Sequence, residues 1–472
     1  MLFNTLDFWF FFAIVYGVYR LLGMRGQNAW LLGASYVFYA FWDYRFVALL
    51  AVSTGVDWWL ARRIAGEPSR AGARKWVATS MGVNLLFLGT FKYFNFFVGS
   101  LAAALEALGF QPHLPVLAIV LPVGISFYTF QSMSYIVDVY RGEIEPTPSL
   151  VEFALFVAFF PHMVAGPIMK ARVLLPQMGR PRVIGWHDVS EGFHLAMVGL
   201  FKKVVIADNL APIADLVFSR ELGFRPGVLH VGALAFAFQI YADFSGYSDI
   251  ARGVARMMGF SLMENFNAPY FATSITEFWR RWHISLSSWL REYLYISLGG
   301  NRGTTAATYR NLMITMVLGG LWHGAAITYV VWGAYQGVLL AVERWLRTAL
   351  GGSLAARFRA PSLAPLQMFM TFHLVCLGWI YFRATPDSPL GLMTRRFLNP
   401  AGWLAMPWRL LAPALLAIVP LLALDYARRR SGRDLALLGL PWPARGVLYA
   451  SLAYLFILLG RFDSHAFIYF QF

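Results

Sequence analysis

The chain has 472 residues, of which 58% are hydrophobic, 17% aromatic and only 13% charged. A soluble domain cannot bury that much apolar surface, so the composition excludes a soluble protein and indicates a polytopic membrane protein. The formal net charge is +15, but the basic residues lie in short loops between apolar segments, without the continuous basic patch of a nucleic-acid-binding protein. We interpret them as topology signals and contacts to membrane lipids, and we expect no nucleic-acid partner.

Cysteine and histidine usage gives no sign of a metal site. Cys376 is the only cysteine, which excludes an intramolecular disulfide and a Cys/His zinc pattern. The nine histidines show no His-x-x-x-His or His-Glu-x-x-His spacing. The sequence therefore predicts neither a bound metal ion nor a bound cofactor.

The first apolar run, Phe8 to Leu22, is predicted to be an uncleaved membrane helix. No basic residue precedes it and no small-residue cleavage site follows it. Two further apolar runs lead to the strongest basic loop, which contains Arg62, Arg63, Arg70, Arg74 and Lys75. Because positive loops stay in the cytoplasm, three crossings before this loop predict an N-terminus on the outer side.

The run from Val151 to Met169 does not fit a simple membrane span. It is interrupted by Pro161, Gly166 and Pro167, and the basic loop that follows it should be cytoplasmic like the loop before it. A re-entrant segment satisfies both conditions, provided that its freed backbone groups face protein or a water-filled cavity.

The run from Leu312 to Leu340 contains no charged residue and is too long for a perpendicular span. As one helix it would exceed about 40 Å, against a hydrocarbon core of about 30 Å. We expect it to be steeply tilted or broken at Gly319–Gly320, just before His323. In total we predict an all-α polytopic integral membrane protein of about 10–12 membrane segments, with re-entrant helices around a central channel, in a single domain over residues 1–472.

Two histidines lie in strongly hydrophobic surroundings. If residues 277–290 form one helix, Trp279 and His283 share a face, which predicts an amphipathic helix at the membrane surface. His323 lies in the uncharged run, where polar side chains are costly and are commonly functional. A hydrogen-bonded packing role is the alternative for a histidine in such a helix.

Asp243 and Asp249 end another apolar helix, and paired carboxylates can support acid-base chemistry. The sequence favours the alternative that they pair with arginines and fix the packing of the core. The candidate partners are Arg252, Arg256 and Arg280. Lys202 and Lys203 are expected to extend towards the membrane interface.

Six short motifs occur along the chain. They are PHMVAGPI (Pro161–Ile168), QIYADFSGYSDIA (Gln239–Ala251), NFNAPY (Asn265–Tyr270), FWRRWHISLS (Phe278–Ser287), LWHG (Leu321–Gly324) and FIYFQF (Phe467–Phe472). Together they resemble the membrane-bound O-acyltransferase family over nearly the full length of the chain. The resemblance implies an α-helical membrane enzyme, with the family's essential histidine at His323 and its second motif position at His283.

The resemblance implies an O-acetyltransferase of the bacterial inner membrane that moves acetyl from a cytoplasmic thioester, acetyl-coenzyme A, for O-acetylation of an extracellular polysaccharide such as alginate. His323 would remove the hydroxyl proton of the acceptor or carry the acetyl group transiently, and the sequence leaves both routes open. His283 would be the second catalytic residue. The residues expected to bind substrate are Trp279, Arg280, Arg281, Trp322 and Asp243. The phosphates of the donor would meet a basic face around Arg280, Arg281, Arg291 and Arg302.

No polar stretch is long enough to form a soluble domain that could hold a polysaccharide. We therefore expect acetyl to pass to a serine of a separate periplasmic acetyltransferase within a polysaccharide-biosynthesis complex, docked near Gly99–His113 and Asn209–Gly227. The alternatives are D-alanylation of teichoic acid, acetylation of peptidoglycan or cellulose, and a non-enzymatic transporter with a path of buried histidine and aspartate. The sequence shows no repeated halves of the kind common in transporters.

Overall fold

The computed structural model describes residues 1–111, 114–117, 119–164, 166–219, 223–349, 360–432, 435–462 and 467–468. Every regular element in these ranges is a helix, which confirms the predicted all-α class. The chain divides into two compact units, Met1–Val189 with Val254–Met263, and Ser190–Gly253 with Glu264–Phe472. The assignment of one domain to residues 1–472 stays a prediction.

The first unit is built from nine helices among its described residues. They are α1 (Leu6–Leu21), α2 (Met24–Asp43), α3 (Arg45–Gly66), α4 (Arg70–Leu88), α5 (Phe94–Ala107), α6 (Ile125–Arg141), α7 (Leu150–Ala158), α8 (Phe160–Met163) and α9 (Ala171–Met178). Side-chain caps set where several of them begin: the hydroxyl of Thr5 accepts from the Phe8 N–H, and that of Ser69 from the Gly72 N–H. A π-helical turn, Gly89–Tyr93, joins α4 to α5.

The segment predicted to be re-entrant is broken in the first unit, as expected. Helix α7 ends at Ala158, and the chain turns before α8. His162 makes hydrogen bonds that stabilise the break, because its Nε2 lies 3.1 Å from the carbonyl oxygen of Phe156 and its Nδ1 lies 3.0 Å from Nε2 of Gln131. Ala165, in the same motif, lies outside the described residues.

Each of the remaining helices lies wholly or mostly in the second unit. They are α10 (Trp186–Leu200), α11 (Asp208–Phe218), α12 (Pro226–Met257), α13 (Ile275–Arg281), α14 (Ile284–Trp289), α15 (Thr305–His323), α16 (Ile327–Ala349), α17 (Ala364–Arg383), α18 (Leu390–Phe397), α19 (Ala401–Leu404), α20 (Trp408–Ser431) and α21 (Trp442–Leu459). One π-helical turn, Phe201–Ala207, joins α10 to α11. A second, Leu290–Tyr295, follows α14.

Five helical stretches among the described residues are long and apolar enough to cross a membrane. They are Arg70–Ala107, Pro226–Met257, Pro361–Arg383, Trp408–Ser431 and Trp442–Leu459. They support a multi-pass membrane protein. The prediction of about 10–12 segments counted apolar runs, and some of these runs form helices shorter than a typical span of about 20 residues. For example, α1 has 16 residues and α6 has 17, so the larger count stays a prediction.

The uncharged run Leu312–Leu340 forms a helical hairpin. Helix α15 continues through Gly319–Gly320 and ends at His323, and α16 begins at Ile327. The break therefore follows His323 instead of preceding it, which corrects the predicted position. As a result, His323 lies at the tip of the hairpin.

Two glycines explain why the hairpin closes where it does. A Cβ on Gly320 would lie 2.2 Å from the carbonyl oxygen of Tyr329, and one on Gly333 would lie 2.4 Å from that of Met316. Both glycines are thus used for close approach of the two helix backbones, and neither α15 at Gly320 nor α16 at Gly333 breaks there.

Candidate active site

The LWHG motif places His323 at the turn between α15 and α16. A Cβ on the next residue, Gly324, would lie 2.1 Å from the ring of Tyr329, so only glycine fits there. The His323 side chain is 6% exposed. Its ring centroid lies 5.1 Å from that of Trp332 on α16 and 5.3 Å from that of Phe382 on α17. The planes of both aromatic rings are nearly perpendicular to the plane of the imidazole. These aromatic walls hold the imidazole in a largely apolar environment.

His283 lies between two short helices, so the predicted single amphipathic helix is wrong. Helix α13 ends at Arg281, and α14 begins at Ile284. Asn265 explains the interruption: its carbonyl oxygen accepts from the Ile284 N–H at 2.9 Å, and its Oδ1 accepts from the Ser285 hydroxyl at 2.6 Å. Because these groups bond to Asn265, the helix cannot continue through His283, which is 0% exposed and buried in the unit.

The backbone of His283 adopts a left-handed conformation, with φ 43° and ψ 55°. Among the described residues, Ala268 is the other non-glycine residue with a positive φ. Such a conformation costs about 1–3 kcal/mol and persists where the surrounding structure fixes it, commonly at functional sites. It brings the imidazole against Phe244 of α12, with ring centroids 4.6 Å apart.

The structure brings the two predicted catalytic histidines together. Their ring centroids are 6.4 Å apart. Trp322 contacts both rings, at 6.0 Å from His283 and 5.0 Å from His323. Burial lowers the pKa of His283 to about 3, so its imidazole is neutral at physiological pH. Two rings at this separation can both reach a reacting group placed between them.

The other predicted substrate-binding residues on α13 lie in different surroundings. Trp279 contacts Trp332, with ring centroids 5.9 Å apart. Arg280 is exposed, as are Arg291 and Arg302. Arg281 pairs with Glu277 at 2.8 Å and donates to the carbonyl oxygen of Asn267 at 3.0 Å, so it fixes the local backbone.

Asp243 is held in a buried ionic cluster. Nζ of Lys203 lies 2.8 Å from Asp243 Oδ1 and 2.8 Å from Asp208 Oδ1. The other carboxylate oxygen of Asp243 accepts from the backbone N–H of Ile468 at 2.7 Å. Asp243 also directly precedes Phe244, which contacts His283, so the geometry favours a role in positioning this part of α12.

The ion pairs of α12 differ from the predicted set. Asp249 pairs with Arg252 at 3.3 Å, as one of the predicted options, but also with Lys202 at 2.7 Å. Within the described part of the chain, Asp243 pairs with Lys203 and with no arginine. The expectation that the two lysines extend to the interface is wrong, since they are 7% and 1% exposed. A buried carboxylate needs a cation close by, and the π-helical turn after α10 supplies both lysines to α12.

Sequence reasoning missed the residues that surround His323. Trp332 and Phe382 belong to apolar runs whose spacing gives no sign of a shared neighbour. A buried hydrogen bond was also missed, in which the Tyr241 hydroxyl donates to Asp425 at 2.9 Å. Of the C-terminal motif, Phe467 and Ile468 are described, and the rest lies outside the described residues.

The described residues contain no group of three or more histidine, cysteine, aspartate or glutamate side chains that could hold a metal ion.

Known proteins resemble the chain over most of its length. Residues 139–381 match the membrane-bound O-acyltransferase family. The chain is 51% identical over 387 residues to "Probable alginate O-acetylase AlgI" of Pseudomonas aeruginosa, covering 81% of this chain and 72% of the relative. It is 35% identical over 416 residues to "Peptidoglycan O-acetyltransferase" of Helicobacter pylori, covering 81% of this chain and 77% of that relative. It is 27% identical over 299 residues to "Teichoic acid D-alanyltransferase" of Bacillus subtilis, covering 58% of this chain and 72% of that relative.

Proposed function

The chain belongs to the membrane-bound O-acyltransferase family, and from this membership we propose that it transfers acetyl from cytoplasmic acetyl-coenzyme A across the bacterial inner membrane for O-acetylation of an extracellular polysaccharide such as alginate. The observation that carries the proposal is the pair of buried histidines, His323 at the tip of the α15–α16 hairpin and His283 between α13 and α14, with ring centroids 6.4 Å apart. The identity of 51% to an alginate O-acetylase, against 27% to a D-alanyltransferase, favours acetyl over D-alanyl as the transferred group.

The chemistry requires a base for the attacking hydroxyl. As the acceptor oxygen bonds to the thioester carbonyl carbon, His323 takes the hydroxyl proton, the carbon–sulfur bond breaks, and the proton passes to the departing thiolate. In the covalent alternative the His323 imidazole attacks the thioester carbonyl carbon, the carbon–sulfur bond breaks, and the thiol leaves with the imidazole proton. The acetyl group then passes from the imidazole nitrogen to the acceptor oxygen, and the hydroxyl proton returns to the imidazole. His283, neutral because burial lowers its pKa, lies close enough to position the thioester in either route.

Donor recognition would use positive charge outside the buried site. Coenzyme A carries phosphates, and arginine is well suited to bind phosphate oxygens. Arg280, Arg291 and Arg302 are exposed and so accessible to such a ligand, whereas Arg281 is already bonded to Glu277. We assign donor binding to the three exposed arginines.

The acceptor side would need a partner. The described residues are mainly helices, and the connections between them are too short to fold into a separate domain, so a long polymer has little surface to bind here. We propose that acetyl passes to a serine of a separate periplasmic acetyltransferase in a polysaccharide-biosynthesis complex. The proposed docking segments are 99–113 and 209–227, of which 112–113 and 220–222 lie outside the described residues. Both were expected to be outer loops, but residues 99–107 lie in α5 and residues 209–218 lie in α11.

Purified protein in detergent is expected to consume radiolabelled acetyl-coenzyme A. Deleting the periplasmic partner from cells should stop polymer acetylation, although protein purified from those cells still consumes the thioester, because the first transfer needs this chain alone. A protein that neither hydrolyses the thioester nor passes on its label would contradict the enzyme and favour the transporter. Direct acetylation of polymer by this chain alone in liposomes would disprove the relay to a partner and leave acetyl transfer intact.

His283→Ala should lower acetyl transfer about 10- to 100-fold, less than the loss expected for His323, because positioning a thioester contributes less than taking the proton. Donor hydrolysis and polymer acetylation should be measured separately. His283→Gly and His283→Asn are the matched controls, since both tolerate the left-handed backbone. If the imidazole matters, all three variants lose activity alike. Recovery in the glycine or asparagine variant would assign the effect to backbone strain, and unchanged activity in all three would leave His283 a packing residue.

A further inference from the structure

Two of the described residues adopt a left-handed backbone without being glycine, and both lie in the second unit. They are His283, with φ 43°, and Ala268, with φ 45°. A backbone hydrogen bond joins the segments that contain them: the Asn267 N–H donates to the Arg281 carbonyl oxygen at 3.0 Å, in addition to the bonds of Asn265. A left-handed conformation is unfavourable for such residues and persists only where the surrounding structure fixes it. Contacts that fix residues 264–271 therefore also fix His283.

Helix α20 presents three charged side chains to this part of the unit. Arg428 and Arg429 follow Asp425 by three and four residues, so all three lie on one side of the helix. We call these three residues the α20 clamp. Arg428 donates to the carbonyl oxygen of Phe266 at 2.7 Å and forms an ion pair with Glu264. One guanidinium thus bonds to the segment twice, as its several N–H donors allow.

Arg429 holds the same segment farther along the chain. It donates to the carbonyl oxygen of Phe271 at 2.9 Å and lies over the ring of that residue, 5.6 Å from its centroid. The two carbonyl contacts, at Phe266 and Phe271, lie on either side of Ala268 in the sequence. Hydrogen bonds from a charged donor are stronger than those between neutral groups. The α20 clamp therefore fixes the backbone before and after a left-handed residue.

Asp425 holds an aromatic ring that packs against the same region. Its carboxylate is 3% exposed and accepts from the Tyr241 hydroxyl at 2.9 Å. The ring centroid of Tyr241 lies 5.6 Å from that of Phe266 and 6.0 Å from that of Trp282, the residue before His283. The rings of Phe266 and Trp282 also contact each other, at 5.0 Å. Asp425 thus supports both sides of the paired segments through one tyrosine.

Without these contacts the local sequence favours a different structure. Residues 277–290 have the spacing of one amphipathic helix, and the structure interrupts that helix at His283. A helical φ at His283 would change the direction of its side chain, whose ring centroid now lies 6.4 Å from that of His323. The contacts of α20 therefore oppose a rearrangement that would move His283 out of the site.

We propose that the α20 clamp positions His283 for acyl transfer. It holds residues 264–271 in the conformation that interrupts the helix between α13 and α14, and in this way it sets the direction of the imidazole. This inference rests on the proposed function and adds Asp425, Arg428 and Tyr241 as positioning residues, which act through the backbone and rings around His283.

The test is a double-mutant cycle on full-length purified protein, with kcat measured as consumption of radiolabelled acetyl-coenzyme A. In wild type, Arg428→Met and Tyr241→Phe should each lower kcat about tenfold, because a small misplacement of a catalytic group is costly. In a His283→Asn background, which tolerates the left-handed backbone, the same changes should lower kcat less than about twofold, since the imidazole that they position is already absent. Arg428→Lys keeps a charged donor and should recover part of the loss.

Stability is measured alongside, and kcat is expressed per folded protein that elutes as a single species. Arg430→Gln is the matched control, because Arg430 is exposed on the same helix and donates to the Tyr426 hydroxyl at 3.3 Å. It should change neither kcat nor the melting temperature. If Arg428→Met does not purify, Tyr241→Phe provides the test, because it removes a single hydroxyl group and keeps the ring.

Several outcomes overturn the inference. If wild type consumes acetyl-coenzyme A and both variants keep its kcat, the α20 clamp does not position the site, although the proposed function stands. If the variants lower kcat by the same factor in both backgrounds, they act on the fold and not through His283. If neither variant can be purified, the α20 clamp is a folding element. If wild type consumes no acetyl-coenzyme A, the proposed function and this inference fail together.

Discussion

Replacing His323 with alanine should lower acetyl transfer at least about 100-fold while the protein still inserts and purifies like wild type. Loss of a general base typically costs 10²- to 10⁴-fold, and in the covalent route the same residue carries the acetyl group. The hairpin itself should survive, because Gly320 and Gly324 pack on Tyr329 without help from the imidazole. Consumption of acetyl-coenzyme A by purified protein and acetylation of polymer in cells are the two measurements.

His187→Ala is the matched control for this variant, because His187 is exposed on α10 and takes no part in the proposed chemistry. It should retain wild-type activity. More than about a tenth of wild-type activity in the His323→Ala variant would remove His323 from the mechanism, since the expected loss is far larger.

Replacing Lys203 with methionine should strongly destabilise the second unit. The ammonium lies 2.8 Å from each of two carboxylates, on Asp208 and Asp243, and all three side chains are buried. Removing the cation leaves uncompensated buried charge, which typically costs about 3–5 kcal/mol. The variant should show a clearly lower melting temperature in detergent, followed by tryptophan fluorescence, and a lower purified yield.

Charge-matched variants show whether the cause is electrostatic. Adding Asp208→Asn and Asp243→Asn to Lys203→Met removes the repelling carboxylates and should recover much of the lost stability. Lys75→Met, at an exposed position, should leave the melting temperature unchanged. A Lys203→Met variant as stable as wild type would mean that the carboxylates are balanced in another way. Because Asp243 precedes Phe244, which contacts His283, we also expect the folded fraction of the variant to be less active.

Several features of the site were predictable because they depend on residue type. A histidine in a run without charged residues is costly, which made His323 a candidate beside a packing role, and the motif resemblance then predicted roles for both His323 and His283. The break in the segment before Met169 follows from its prolines and glycine. None of these predictions depends on which helices are neighbours in the folded protein.

The local shape at both histidines was not predictable from the same residues. Residues 277–290 have the spacing of one amphipathic helix, but Asn265 bonds to the backbone after His283 and stops the helix there. Gly319–Gly320 suggested a break, but these glycines serve close helix packing and the chain turns after His323. In both cases distant residues in the chain compete for the same backbone groups or space, and local spacing contains no information about them.

The sequence by itself thus determined the helical membrane class and the family and predicted the two candidate histidines, because composition, apolar runs and motif residues are local properties. The tertiary structure decided that the two imidazoles lie 6.4 Å apart, that His283 is buried in a left-handed conformation, and that Lys203 joins Asp208 and Asp243. It also decided that Trp332 and Phe382 surround His323. The physical reason is that burial and charge pairing depend on which helices pack together, and packing is settled only when the whole unit folds.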